Sequence, residues 1–177
     1  IGIRLKLVAG ELEKLYEQIE YYAAQMFPQD SQGEFLDKHG LERGIFRKAP
    51  TAAGGILRFS RENPTNSDLT VPKGTLVSTQ ENPAIYYSTS EAAVLAAGNT
   101  FVDVWATATE AGSAGNVAAG KITQIVTAPI GITRVVNTAP FTGGENGETD
   151  TALRERITSS YRGFASPVNA AYYQNAA

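Results

Sequence analysis

Residues 142–157 read TGGENGETDTALRERI, and this stretch divides the chain into two kinds of structure. Gly143, Gly144 and Gly147 permit backbone conformations with positive φ, so the main chain can turn sharply there. Asn146-Gly147 adds a turn signal, although strands do not flank it on both sides as a hairpin requires. Thr149 or Asp150 then supplies a side-chain oxygen to cap a helix, and Asp150 also sets negative charge at the positive helix end. Leu153 and Ile157, four apart, share one helical face, while Arg154, Glu155 and Arg156 spread around the others. The segment reads as a junction between an extended domain and a helix.

Upstream of it the pattern is that of strands. Leu57 and Phe59 alternate with Arg58 and Ser60, so one face is buried. Residues 62–68 form a polar loop, and Val71-Pro72-Lys73-Gly74 fits a type I turn with proline second and glycine fourth. Strands are expected at 75–79, 85–89 and from Val94. Residues 101–108 give the clearest one: Val102, Val104, Ala106 and Ala108 on one face, Phe101, Asp103, Trp105 and Thr107 on the other. Trp105 belongs on the less buried side, as a contact anchor or, the plainer reading, part of a second small core. Gly112, Gly115 and Gly120 punctuate a loop before short strands over 122–127, and Val135 and Val136 close the β section. Short strands with turn signals and no helix-length pattern between them define an antiparallel β domain.

The N-terminal part is helical. Residues 3–27 carry Leu5, Val8, Leu12, Leu15, Ile19, Tyr22 and Met26 at alternating spacings of three and four, a heptad seam of period 3.5. Gly10 weakens the first half by roughly 1 kcal/mol relative to alanine, and Pro28 pushes its predecessor out of helical geometry. A shorter helix follows, begun near Asp30 or Ser31 and stopped at Gly44, with Phe35, Leu36 and Leu41 as its apolar surface. The seam can pack on that second helix or on other chains. Because the second helix is too short to cover the whole seam, part of it is expected to be left for another subunit. Seven linker residues, IFRKAPT, lead from the helices into the strands. Past the junction, Ser166-Pro167 starts a further helix carrying Tyr172 and Tyr173.

The fold class is therefore α+β, in three stretches: N-terminal helices over 1–48, an antiparallel β-rich domain over 52–142, and the glycine junction with the start of a C-terminal helical region over 143–177. The chain opens at Ile1 without Met and stops in YYQNAA, which reads as a fragment or processed product.

Composition narrows the function. The net charge of -3 comes with no basic block, which speaks against a nucleic-acid partner. With 0 cysteines there are no disulfides and no thiolate metal sites. No apolar run reaches the roughly 18 residues of a membrane span. His39, the single histidine, sits in a polar helix with no Ser or Cys nucleophile motif nearby, so it reads as a solvated or capping residue. Glu145, Glu148 and Asp150 form the one acidic cluster, but without the alternating Asp/Asn spacing of a calcium loop; they read as a cap and a solvated loop, and no metal or cofactor is expected. Phosphate-loop, nucleophile-elbow and zinc-helix motifs are missing, so no catalytic residue is nominated.

Four segments in order resemble one family. GGENGETDTALRERI is similar to the junction of baseplate J-like proteins of phage tails and related contractile injection machines. TVPKG at 70–74 resembles that family's I-P-x-G-T turn, GSAGNV at 112–117 its Gly-x-x-Gly-Asn turn, and VVNTAPFTGG at 135–144 its V-x-N…G-G segment. The resemblance covers roughly Gly33 to the C-terminus. It implies a structural, non-enzymatic component of a baseplate wedge in a virion tail or phage-like particle, assembled in the bacterial cytoplasm, with other baseplate or tail proteins and further copies of itself as partners. The seam Leu5, Val8, Leu12, Leu15, Ile19, Tyr22, Met26 is then the candidate assembly interface, and Gly143 and Gly144 the candidate hinge. Two rival classes remain: an adhesive surface or secreted β domain, which suits the short Thr/Ala/Gly-rich strands but not the heptad helix, and a small tail-delivered glycoside hydrolase.

Overall fold

The computed structural model describes residues 2–162; the helix expected from Ser166-Pro167, with Tyr172 and Tyr173, lies outside them. The chain forms two compact units, one from residues 1–48 with 148–177, the other from residues 49–147. The α+β class holds: helices at both ends of the described chain and antiparallel strands between.

In the helical unit α1 spans Gly2–Gln25, α2 Gly33–Leu41 and α3 Asp150–Arg162. Helix α1 stops ahead of Pro28 because its last turn is capped from α2. The Nε2–H of His39 donates to the Gln25 carbonyl at 2.9 Å, and the Gln25 side chain accepts the Gln32 N–H at 2.9 Å. His39 is thus a capping residue. Helix α2 begins later than Asp30 or Ser31, since turns anchored on the Phe27 carbonyl occupy those positions. It ends as its glycine demands: Gly44 takes φ +68, Gly44 N–H returns to Leu41 and Ile45 N–H to Gly40, a left-handed cap. Leu36 from α2 and Leu153 and Ile157 from α3 are all fully buried and form the core of this unit. Gly40 lets α3 in, because a Cβ there would lie 3.4 Å from the Ile157 side chain and 2.5 Å from the Ile45 carbonyl oxygen.

The second unit is a six-stranded antiparallel sheet. Its strands are β1 Gly54–Ser60, β3 Leu76–Thr79, β4 Tyr86–Thr89, β6 Phe101–Ala108, β7 Ile122–Ile125 and β8 Arg134–Asn137. Their order is β7-β3-β4-β6-β1-β8, with a separate pair of β2 Leu69–Val71 and β5 Ala93–Leu95. The sheet curls until its edge strands β7 and β8 run side by side, giving a nearly closed barrel. Asn137, fully buried, closes the seam. Its side chain accepts Ile122 N–H at 3.0 Å and donates to the carbonyls of Ala118 and Ala139 at 2.8 and 2.9 Å. Its own carbonyl accepts Gly120 N–H at 2.8 Å. An edge strand's free polar groups are thereby paired instead of left open.

Alternation works as the sequence indicates. Leu57, Phe59, Val104, Ala106 and Val135 point inward and are buried, each large apolar side chain contributing roughly 1.5–3 kcal/mol. Tyr87 and Phe141 meet edge to face at 4.9 Å in the same core, and the Tyr87 hydroxyl donates to the Gly115 carbonyl at 2.9 Å. Burial, with a smaller push from Glu81, raises that phenol to about 12. Trp105 lies on the outer face, 48% exposed, and its ring covers Gly54, where a Cβ would stand 2.8 Å from Cζ2. Beside it Arg58 pairs with Asp103 through two 2.7 Å bonds and stacks over Phe101 at 4.1 Å.

One local expectation needs correction. The turn after β2 is shifted by one residue: Thr75 N–H bonds back to the Pro72 carbonyl and Gly74 has φ +82. Proline is therefore first and glycine third, where a type II turn requires positive φ. Strand β2 itself is too short to show a period in the sequence.

Candidate functional site

Two features draw together the residues the sequence singled out. The first is the junction. Thr149 caps α3, its hydroxyl accepting Ala152 N–H at 3.3 Å. This frees the Asp150 carboxylate for partners outside α3: it accepts Gly33 N–H, at the start of α2, at 2.9 Å and lies 2.7 Å from Arg47 Nη2. Those two partners, Gly33 first, hold Asp150 below the ordinary carboxylate value. Arg47 reaches three ways, its Nε donating to Asp37 at 2.8 Å and its Nη1 to the Glu148 carbonyl at 2.8 Å; the Asp37 bond leads in raising its pKa.

Glu148 is the other centre. Arg156 donates to both its oxygens at 2.8 and 2.6 Å, and Lys48 N–H donates to one of them at 3.0 Å. The Glu148 N–H returns to the Lys48 carbonyl at 3.0 Å. Arg156 and Lys48 hold this carboxyl, only 6% exposed, below its usual range. Two residues before Arg156 on α3, Arg154 donates to the carbonyls of Pro28 and Ser31 at 3.1 and 2.8 Å. Glu148, Asp150, Arg154 and Arg156 thus each tie α3 or its lead-in to a different part of residues 28–48. Arg47 and Asp37 complete the clasp and were not legible beforehand, since a basic linker gives no sign of its partner.

Within the barrel unit the glycine pair divides its roles. Gly143 has φ +86 with nothing within 4 Å of its Cβ position, and its carbonyl accepts the Thr51 hydroxyl at 2.6 Å. Gly144 is buried, and a Cβ there would overlap the Gly112 carbonyl oxygen and approach Asn116 Oδ1 to 3.0 Å. Asn116 Nδ2 donates to the Gly144 carbonyl at 2.8 Å and Asn116 Oδ1 accepts Gly144 N–H at 2.9 Å. The third acidic residue, Glu145, does not join Glu148 and Asp150: its main chain bridges to Thr51. Among the described residues no group of three or more His, Asp or Glu side chains is arranged to hold a metal.

The second feature is the seam of α1. Leu5, Val8, Leu12, Leu15, Ile19, Tyr22 and the adjoining Met26 are all exposed, between 49% and 70%. Its last turns touch α2, where Tyr21 and Tyr22 meet Phe35 edge on at 6.3 and 6.1 Å. The helix spans about 36 Å at 1.5 Å per residue, so most of its apolar stripe has no cover among the described residues. No helix among the described residues is long and apolar enough to cross a membrane.

A curled antiparallel barrel, pinned by internal bonds of Asn116 and Asn137, with a clasped helical unit beside it in sequence, defines the class of fold. The chain belongs to the Baseplate J-like protein barrel domain family, whose model matches residues 56–144, about half of the 177 residues. It is 26% identical over 157 residues to the Mu-like prophage FluMu protein gp47 of Haemophilus influenzae, covering 89% of this chain and 42% of that protein. To baseplate protein gp47 of Escherichia phage Mu it is 29% identical over 152 residues, covering 84% of this chain and 40% of the relative. The chain thus spans about two-fifths of the length of these relatives. Its fold is also that of a chain in the cryo-EM structure of the anti-feeding prophage baseplate, with TM-score 0.54, 13% identity, and coverage of 86% of this chain and 47% of that one.

Proposed function

We propose that this protein is a structural component of a phage tail or phage-like contractile injection baseplate, acting by subunit assembly in the wedge ring and without turning over a substrate. The observation that carries this reading, beside family membership, is the α1 seam, exposed and without cover among the described residues. Seven apolar side chains at heptad spacing, all 49% or more exposed, form a surface whose natural partner is another helix. In this reading the helices join neighbouring baseplate or tail proteins, further copies of this chain among them, and the barrel braces the ring in the virion tail. Assembly takes place in the bacterial cytoplasm. Apolar side chains supply affinity there, and the polar positions between them set register. Gly143 serves as the pivot of the junction, since Gly144 is held by Asn116.

The test is co-expression of the full-length protein with its genomic neighbours, followed by native mass spectrometry of wild type and Leu12→Asp. Loss of the complex with both units still folded supports the reading. A complex that survives the substitution overturns the seam as its interface. One second reading has an observation of its own: the outer barrel face exposes Ile56, Phe101 and Trp105, as an adhesive β domain would. That reading requires the barrel to bind cell surfaces without α1.

A further inference from the structure

We propose that Asn146 is a site of spontaneous covalent modification, converting to aspartate and isoaspartate through a cyclic imide with Gly147. Three observations converge on it. Asn146 is exposed, and of the asparagines in the described residues it alone is followed by glycine. The absence of a side chain at Gly147 lets its amide nitrogen approach the Asn146 side chain. That nitrogen is uncommitted, because Gly147 N–H has no hydrogen-bond partner among the described residues. Asn146 Oδ1, in contrast, accepts two bonds, from Ser113 N–H at 2.9 Å and from the Ser113 hydroxyl at 3.2 Å.

Those two donors matter because of where charge develops. Hydroxide removes the Gly147 amide proton, and the nitrogen attacks Asn146 Cγ, forming an N–C bond. The electron pair of the side-chain carbonyl moves onto Oδ1, where Ser113 N–H and O–H receive it as paired donors receive any tetrahedral oxyanion. Collapse breaks the Cγ–Nδ2 bond, and the nitrogen leaves with a proton from water as ammonia; no partner holds Nδ2 among the described residues. Water then opens the five-membered imide at either carbonyl. The balance is asparagine plus water to aspartate, or isoaspartate, plus ammonia, with no change of oxidation state. Asn116 and Asn137 are protected by the opposite arrangement, since both their side-chain atoms are bonded and valine or threonine follows. The product adds a carboxylate between Glu145 and Glu148, and the isoaspartate form also lengthens the main chain by one methylene.

The experiment incubates the intact protein in mildly alkaline buffer and follows each asparagine by peptide mass spectrometry, with the two isomers separated chromatographically. A synthetic peptide of residues 140–152 serves as the unfolded reference. Asn146 is expected to gain the mass of an NH-to-O exchange well before the exposed Asn66 and Asn99, at least as fast as in the peptide. Ser113→Ala should slow it several-fold without changing the melting temperature, and Asn146→Gln should abolish the signal at this peptide. An Asn146 that stays intact while the peptide converts overturns the proposal, because the fold then holds the nitrogen away. A Ser113→Ala rate equal to wild type overturns the role of its hydroxyl.

Discussion

Asn116 and Gly144 exchange two hydrogen bonds, Nδ2 to carbonyl at 2.8 Å and amide to Oδ1 at 2.9 Å, so a side chain pairs with a peptide unit as one strand pairs with another. The pairing accounts for two separate turns of the family pattern at once: the asparagine that ends one and the glycine that ends the other are partners. Gly144→Ala would drive a methyl group into the Gly112 carbonyl and is expected to cost about 2–4 kcal/mol. Asn116→Ala should cost about 1–3 kcal/mol by leaving the buried Gly144 groups unpaired. Urea unfolding of the two variants and their double mutant measures both, and strong non-additivity is expected because they share one contact.

The barrel seam gives a second prediction. Asn137→Ala strands Ile122 N–H and the carbonyls of Ala118 and Ala139 in a buried site. A loss of about 2–4 kcal/mol follows. Hydrogen exchange should show β7 and β8 losing protection first while β1 and β6, in the middle of the sheet, keep theirs.

Acid should loosen the helical unit. Glu148 and Asp150 have folded values below their ordinary 4.5 and 3.8, so the unfolded chain binds more protons than the folded one as pH drops. Their contribution is complete above the ordinary values and is lost as pH falls through the lowered ones. Thermal melting followed by helical signal should decline on that acid limb. Glu148→Gln should flatten the limb and cost about 1–2 kcal/mol at neutral pH, a figure reduced because Arg156 is partly exposed.

Leu12→Asp separates assembly from stability. Leu12 is 49% exposed, so the substitution should change monomer melting by no more than about 0.5 kcal/mol. Buried in a helix interface, the same carboxylate should cost several kcal/mol. Analytical ultracentrifugation beside melting reads both quantities from one preparation.

What the sequence revealed follows from how far each signal reaches along the chain. The strand faces of β1 and β6 and the α3 face of Leu153 and Ile157 were readable, because alternation and the four-residue repeat are local. The α1 seam was readable as apolar, and its exposure was argued from helix length alone. Asn137, Asn116 and Arg47 act on partners up to 101 residues away, and a polar residue carries no mark of a distant partner. Arg61 is the strongest case. It is 5% exposed and bonded to Asn99, Ala96, Ser67 and Thr65, yet in sequence it looks like any surface arginine beside a polar loop.

The paired bonds between Lys48 and Glu148, 100 positions apart, make the barrel an excursion of the chain that departs and returns through one gate. For a floppy excursion of that length, closing the gate would cost about 4 kcal/mol of chain entropy. The barrel removes nearly all of it by bridging Thr51 to Glu145 on its own account, which leaves a few residues on each side to fix. A different folded insert with equally close ends would suit the same gate, so the closure of the helical unit depends on where the insert's ends lie and not on what folds between them.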